Sequence, residues 1–317
     1  MGELSNSRIL ITGGAGFLSQ HLCKKALEKY DLKKIFLLDI NPNLNNFLNL
    51  PKDKIEYFQA DINDIEVLES LIKKVNPTHV FHNAAVINHG LNFKELEVSI
   101  RNNFFGTFNL LRALKNIKLK CFLFTSTSEV YGDNSLPFRE DLPLKPTSPY
   151  SISKASTEML VRNFSIENNV PYVIVRPFNM YGEGQSNNML IPYLFNSIIK
   201  NETINVTKGE QTRDSNYVGN ICDGMLMAVS VEIAKGHVIN LCSGLELSVR
   251  DLVKKIITIS GFNVNVNYGA IPYRKNEIWR MFGDKSKSEE LMNWKPLIGL
   301  DKGLLQTFKW YQRNIKD

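Results

Sequence analysis

The stretch from Arg8 to Leu27 constrains the fold more than any other part of the chain. Arg8, Ile9, Leu10, Ile11 and Thr12 make a short, largely apolar run, and Gly13, Gly14 and Gly16 crowd the next four positions. Leu18, Leu22, Ala26 and Leu27 then recur at helical spacing, so a strand, a glycine turn and a helix follow one another directly. The alternation repeats. Apolar runs at 34–40, 55–59, 78–82, 120–125 and 172–177 are separated by stretches of helical periodicity, such as the face made by Ile65, Leu68, Leu71 and Ile72. Successive βα units of this kind predict an α/β fold with a doubly wound, mostly parallel sheet covered by helices on both faces.

Gly14-Ala15-Gly16-Phe17-Leu18-Ser19 fits the G-x-G-x-x-G dinucleotide fingerprint, with serine in its last place. A pyrophosphate needs backbone N–H groups at close range and the positive end of a helix, and side chains at the glycines would block both. Gly13, Gly14, Gly16, Phe17 and Leu18 are therefore the expected cofactor-binding positions. Asp39 closes the second strand, where a carboxylate accepts hydrogen bonds from an adenosine ribose and repels a 2′-phosphate, so NAD is expected rather than NADP. Residues 1–177 are predicted to form a Rossmann domain. A strand near 236–241 is expected to return to its sheet, and 178–317 to form a smaller α/β substrate domain.

The bulk properties narrow the class further. The 317 residues are 43% hydrophobic and 22% charged, which suits a globular chain with a sizeable core. The net charge of +6 comes from scattered Lys and Arg, with clusters such as Lys115, Lys118 and Lys120 that fit a solvated helix face, so no nucleic-acid partner is expected. Cys23, Cys121, Cys222 and Cys242 are far apart, which predicts reduced thiols and no metal site. The polar first seven residues lack a secretory pattern and no apolar run is long enough to span a bilayer, so a cytoplasmic protein with no membrane contact is expected.

Tyr150-Ser151-Ile152-Ser153-Lys154 places a tyrosine and a lysine four apart, on one face of a helix. A neighbouring ammonium favours a phenolate, so Lys154 is expected to bring Tyr150 towards neutral pH and make it a usable base. The glycine turn, Asp39, Asp61-Ile62, His82-Asn83-Ala84-Ala85, Asn103-Phe104-Phe105-Gly106-Thr107, Ser126-Thr127-Ser128-Glu129-Val130-Tyr131-Gly132 and Tyr150-x-x-x-Lys154 occur in the order that resembles the NAD-dependent epimerase/dehydratase family. This is the extended branch of the short-chain dehydrogenases/reductases, and the resemblance spans nearly the whole chain. It implies an enzyme acting on a nucleotide-activated sugar, with NAD contacts from Asp61, Ile62, Ala84, Ala85, Asn103, Thr125, Tyr150, Lys154 and Pro177. It also implies a sugar hydroxyl oriented by Thr127. The helices around 93–114 and 150–167 present apolar faces, and the resemblance implies that they pair in a homodimer.

For the nucleotide sugar, the resemblance points to Asn179 in Arg176-Pro177-Phe178-Asn179-Met180-Tyr181-Gly182. It also points to Arg213 and Arg274, whose guanidinium groups match diphosphate oxygens. Glu183 stands where many relatives carry proline. Small side chains from Val86 to Gly90 leave room for a C2 substituent, which favours UDP-N-acetylglucosamine over a thymidine sugar. The family's shared first step oxidises C4 of the sugar. Dehydratases then need a base at C5 and an acid at C6, for which they typically carry Asp-Glu after the threonine. This chain has Ser128-Glu129: the base is present and the usual acid is replaced. Dehydration, of the 4,6 or 5,6 type, is the preferred expectation, with Glu129 as base and Ser128 beside it. Epimerisation at C4, decarboxylation and a non-catalytic dinucleotide sensor remain open.

Overall fold

The computed structural model describes residues 4–44, 47–51, 53–88 and 90–314. The first three residues, and His89 within the run of small side chains, lie outside them.

Six strands, β1 (Arg8–Thr12), β2 (Lys34–Asp39), β3 (Ile55–Gln59), β4 (His79–His82), β5 (Cys121–Thr125) and β6 (Tyr172–Pro177), lead the chain. Between them run α1 (Phe17–Lys29), α2 (Ile65–Val75), α3 (Phe93–Ser99), α4 (Gly106–Leu114) and α5 (Pro149–Asn168). The second half holds four two- or three-residue strands, β7 (Met180–Tyr181), β8 (Ile204–Val206), β9 (Thr212–Arg213) and β10 (Asn216–Tyr217), then β11 (Val238–Leu241). Three more short strands follow, β12 (Leu247–Ser248), β13 (Val266–Tyr268) and β14 (Arg280–Met281). Its helices are α6 (Leu190–Ile199), α7 (Val218–Ser230), α8 (Val249–Ser260), α9 (Ser286–Met292) and α10 (Leu300–Asn314).

The main sheet has the order β11-β6-β5-β4-β1-β2-β3, and every pairing in it is parallel. Alternating residues of one strand serve opposite cores. Ile9 and Ile11 face the cluster under α1 and α7, whereas Leu10 faces the cluster under α2 and α4. That two-sided burial is why the strands read as continuous apolar runs. Because β11 pairs with β6, the chain re-enters the main sheet after α7.

Helix ends are set by local chemistry. Asp64 caps α2 through the Val67 N–H, and Ser148 and Ser151 form a reciprocal capping box with Pro149 at the start of α5. Between α3 and α4, residues Ile100–Phe105 form a π-helical turn, which breaks the long helix expected over 93–114. The C-terminal lobe has its own core, in which Phe195 is fully buried with ring centroids 5.3 Å from Phe308 and 5.7 Å from Tyr311. Phe195→Ala is expected to destabilise the protein by about 3–5 kcal/mol, read as a lower urea midpoint; an unmoved midpoint would show that α10 does not depend on this contact.

Candidate active site

The carboxyl ends of β1, β2, β4, β5 and β6 carry the glycine turn, Asp39, His82-Asn83-Ala84, Ser126-Thr127 and Phe178-Asn179, so these segments converge along one edge of the sheet. The glycine turn has the shape a dinucleotide requires. Gly13 adopts φ +67° against Ala84, and a Cβ on Gly14 would lie 2.7 Å from the Leu37 side chain. Gly16 starts α1 with no side-chain cap and no acidic residue in the first turn, leaving its amino end for an anion. Asp39 accepts hydrogen bonds from the N–H groups of Ala15 and Asn41, both 3.0 Å, which draws its carboxylate onto the turn. Ser19, in the fingerprint's last place, is buried and accepts a hydrogen bond from Asn83 Nδ2 at 3.0 Å; Asn83 Oδ1 accepts one from the Thr125 hydroxyl at 2.7 Å. The serine thus adds a polar tie between α1 and the ends of β4 and β5. These features fit a dinucleotide.

A buried chain of hydrogen bonds lies behind the turn. His82 bridges the hydroxyls of Thr12 (2.6 Å) and Thr107 (2.7 Å), and Thr107 donates to the Asn103 carbonyl at 2.5 Å. Burial, and secondarily the charge of Lys154, push the His82 pKa down to about 3, so the ring is neutral. Asn103 lies in the π-helical turn. Its side chain accepts from the Val86 N–H (2.8 Å) and donates to the Val86 carbonyl (2.9 Å) and to Ser153 Oγ (2.8 Å). Its amide is therefore occupied in fixing the Ala84–Ala85–Val86 segment against α5. Ala85 stays exposed. Asp61 turns onto the Asn63 N–H at 2.8 Å, and Ile62 packs over Gly106.

Tyr150 and Lys154 lie on one face of α5 and both are buried. Lys154 Nζ donates to the Thr125 carbonyl at 2.7 Å and lies 4.7 Å from the Phe124 ring centroid. Desolvation brings its pKa down to about 7, opposed by the charge of Glu158. Tyr150 departs from the sequence-based expectation. Burial raises its pKa, the Glu129 carboxylate raises it further, and a hydrogen bond with the Thr127 side chain lowers it. The ammonium is directed at the Thr125 carbonyl and lies 6.0 Å from the Tyr150 ring centroid, and burial outweighs the groups that favour the phenolate.

Thr127 caps the short 3-10 turn Ser128–Tyr131 by accepting from the Glu129 N–H at 3.2 Å. That turn places Thr127 and Glu129 beside Tyr150. Ser128 faces the other way: it is buried and its hydroxyl donates to Met281 Sδ on β14 at 3.2 Å.

On the second lobe Asn179 is exposed, its carbonyl accepting from the Asn216 N–H at 2.7 Å, and Pro177 is buried at the end of β6. Arg213 donates to the carbonyls of Thr212 (2.7 Å) and Ile278 (2.8 Å) and pairs with Glu277, so one residue of the Arg274–Glu277 segment holds it in place. Arg274 itself is exposed. Glu183 accepts from the Tyr217 hydroxyl, and its carbonyl pairs with His21 at 2.7 Å.

Two residues that motif spacing did not single out lie under this turn: Glu158 and Arg176, side chains 2% exposed, form a bidentate ion pair at 2.9 and 2.6 Å. The signal was available. Glu158 follows Lys154 by four, and Arg176 interrupts the apolar strand Tyr172–Pro177.

A glycine turn and bare helix end, facing a buried Tyr-x-x-x-Lys pair at the carboxyl ends of parallel strands, define a dinucleotide-dependent enzyme of the short-chain dehydrogenase/reductase class. The family model described as GDP-mannose 4,6 dehydratase matches residues 10–307. The chain belongs to this family of NAD-dependent nucleotide-sugar epimerases and dehydratases. The dTDP-D-glucose 4,6-dehydratase of Dictyostelium discoideum is 32% identical, over 98% of this chain and 83% of its own. Among solved structures, the UDP-glucose 4-epimerase of Thermotoga maritima, with UDP-glucose, is 28% identical with a TM-score of 0.89, covering 97% of this chain and 99% of that one. The UDP-glucuronic acid 4-epimerase of Bacillus cereus, in complex with UDP-glucuronic acid and NAD, is 29% identical with a TM-score of 0.86, covering 97% and 99%. Among the described residues no helix is long and apolar enough to cross a membrane, and no group of three His, Cys, Asp or Glu is arranged to hold a metal ion.

Proposed function

We propose that the protein is a nucleotide-sugar dehydratase that works through transient oxidation at the sugar's C4. The observation that carries this reading is the position of Glu129. Its carboxylate lies close enough to the Tyr150 hydroxyl to raise the phenol's pKa, on the same turn as Thr127. An epimerase that only turns a C4 ketone over has no use for a carboxylate there, whereas elimination needs a base at C5.

The glycine turn, the amino end of α1 and Asp39 would hold NAD, with Lys154 towards the nicotinamide ribose. NAD, when bound, accepts the C4 hydrogen as hydride and later returns it to the sugar. Tyr150, aligned by Thr127, takes the C4 hydroxyl proton. The C4 ketone acidifies the C5 hydrogen, which Glu129 removes. Ser128 is turned onto Met281, so Glu129, once protonated, is also the group that gives a proton to the departing C6 hydroxyl. Asn179, Arg213 and Arg274 are assigned to the nucleotide diphosphate, with Arg213 already oriented by Glu277. The exposed apolar side chains of Phe93, Phe105 and Phe108, with Met159 and Ile166 on α5, would bury one another's surface in a cytoplasmic homodimer.

One observation favours a second reading, 4-epimerisation. Ser128 is withdrawn from the cleft, so the separate acid that dehydratases carry is missing, and both solved structures described above are 4-epimerases. Incubation with NAD and a panel of UDP- and dTDP-hexoses, N-acetylated sugars included, in deuterated water separates the two. Loss of a water mass with deuterium at C5 is the expected result; unchanged mass with inverted C4 would replace dehydration with epimerisation.

A further inference from the structure

The buried pair Glu158–Arg176 has no place in the chemistry above, yet it touches both ends of the turn that carries that chemistry. Glu158 Oε1 accepts the Ser126 hydroxyl at 2.6 Å, immediately before Thr127. Arg176 Nη1 donates to the Tyr131 hydroxyl at 2.9 Å, at the far end of the turn, and its guanidinium lies 4.8 Å from the Tyr131 ring centroid. Tyr131 donates onward to Asn240 Oδ1 at 2.7 Å on β11, and Asn240 donates to the Phe138 carbonyl at 2.9 Å. Tyr150, Lys154 and Glu158 recur every four residues along one buried face of α5. A desolvated ion pair is costly to form, and replacing it by apolar side chains is often neutral or stabilising, so stability alone is a weak reason for one here.

We propose that Glu158 is a positioning residue, which clamps the Ser126–Tyr131 turn at both ends and lays a fixed negative charge one helical turn from Lys154. The clamp sets where Thr127 and Glu129 stand relative to Tyr150. The charge supports the ammonium form of Lys154, which burial opposes. The other groups facing Lys154 do not supply this. Tyr150, on its own helix, is held neutral; His82 on β4 is neutral; β5 offers the Phe124 ring and the Thr125 carbonyl; and Arg176 on β6 is a cation that Glu158 itself neutralises.

The inference rests on the family's NAD-dependent oxidation at C4, whichever reaction follows it. It is tested by the rate–pH profile of Glu158→Gln with UDP-glucose or dTDP-glucose, whichever the wild-type protein converts. Removing the carboxylate lowers the Lys154 pKa, so the alkaline limb is expected to move about one pH unit or more towards acid. At the optimum, kcat is expected to fall about tenfold or more with KM little changed, as for groups that act only on the transition state. Glu158→Asp should restore the alkaline limb. A residue that only props up the fold would lower the rate at every pH without moving the limb, and an unmoved limb in folded Glu158→Gln overturns the proposal.

If Glu158→Gln does not fold because Arg176 is left unpaired, the double variant Glu158→Gln/Arg176→Met removes both charges and must shift the limb in the same direction by a smaller amount, because the lost cation acts with the opposite sign. If neither folds, Ser126→Ala, which removes one hydroxyl from the clamp, must lower kcat several-fold at unchanged KM, and wild-type kcat there overturns the proposal. A wild-type protein that oxidises no nucleotide sugar removes the proposed function instead.

Discussion

Replacing Tyr150 with Phe is expected to lower turnover by about two to four orders of magnitude, the usual contribution of a positioned general base. In free energy this is about 3–5 kcal/mol of lost transition-state stabilisation. The ring is buried on α5, so Phe keeps the packing and removes only the hydroxyl and its bond to Thr127. The pH profile carries a second signature. The phenol's pKa is raised, first by burial and then by Glu129, so the deprotonated base becomes more available as pH rises. The residual activity of Tyr150→Phe should lose the part of the wild-type pH dependence that the phenol contributes. Full activity in Tyr150→Phe would sink the scheme.

The other large effect belongs to Glu129. Glu129→Gln keeps the size of the side chain and removes the charge, so C4 oxidation should survive while solvent exchange at C5 falls by about two to four orders of magnitude. The measurement is deuterium incorporation by proton NMR beside the absorbance of reduced cofactor. Removing this carboxylate also takes away the second contribution that raises the Tyr150 pKa, so the phenol should ionise at lower pH than in the wild type. Unchanged C5 exchange would show that Glu129 is not the base and would favour epimerisation.

Chemistry that depends on neighbours in the chain was legible from order and spacing. Gly13, Gly14 and Gly16 must lie in a tight turn because they follow a strand and open a helix. Tyr150 and Lys154 share a helix face because they are four apart. The face continues to Glu158, and spacing alone cannot tell a solvated carboxylate from one bound to a buried arginine 18 residues away. The π-helical turn at Ile100–Phe105 was not legible either. It arises where Asn103 reaches Val86 and Ser153, and Ser153 is 50 positions further along the chain.

The sequence by itself determined the layered α/β architecture, the dinucleotide edge and the placing of Tyr150 and Lys154 on one helix face, because periodicity and turn chemistry act over a few residues. Tertiary structure decided where the polar groups point. Ser128 turns onto Met281, 153 residues away, and Arg213 is held by Glu277, 64 residues away. The Lys154 ammonium, four residues from Tyr150, is directed at the Thr125 carbonyl at the end of β5, 29 residues earlier in the chain. A buried polar group must find its partner wherever the fold brings one, and desolvation makes that choice binding. Local pattern names the groups, and long-range packing sets their directions and their charges.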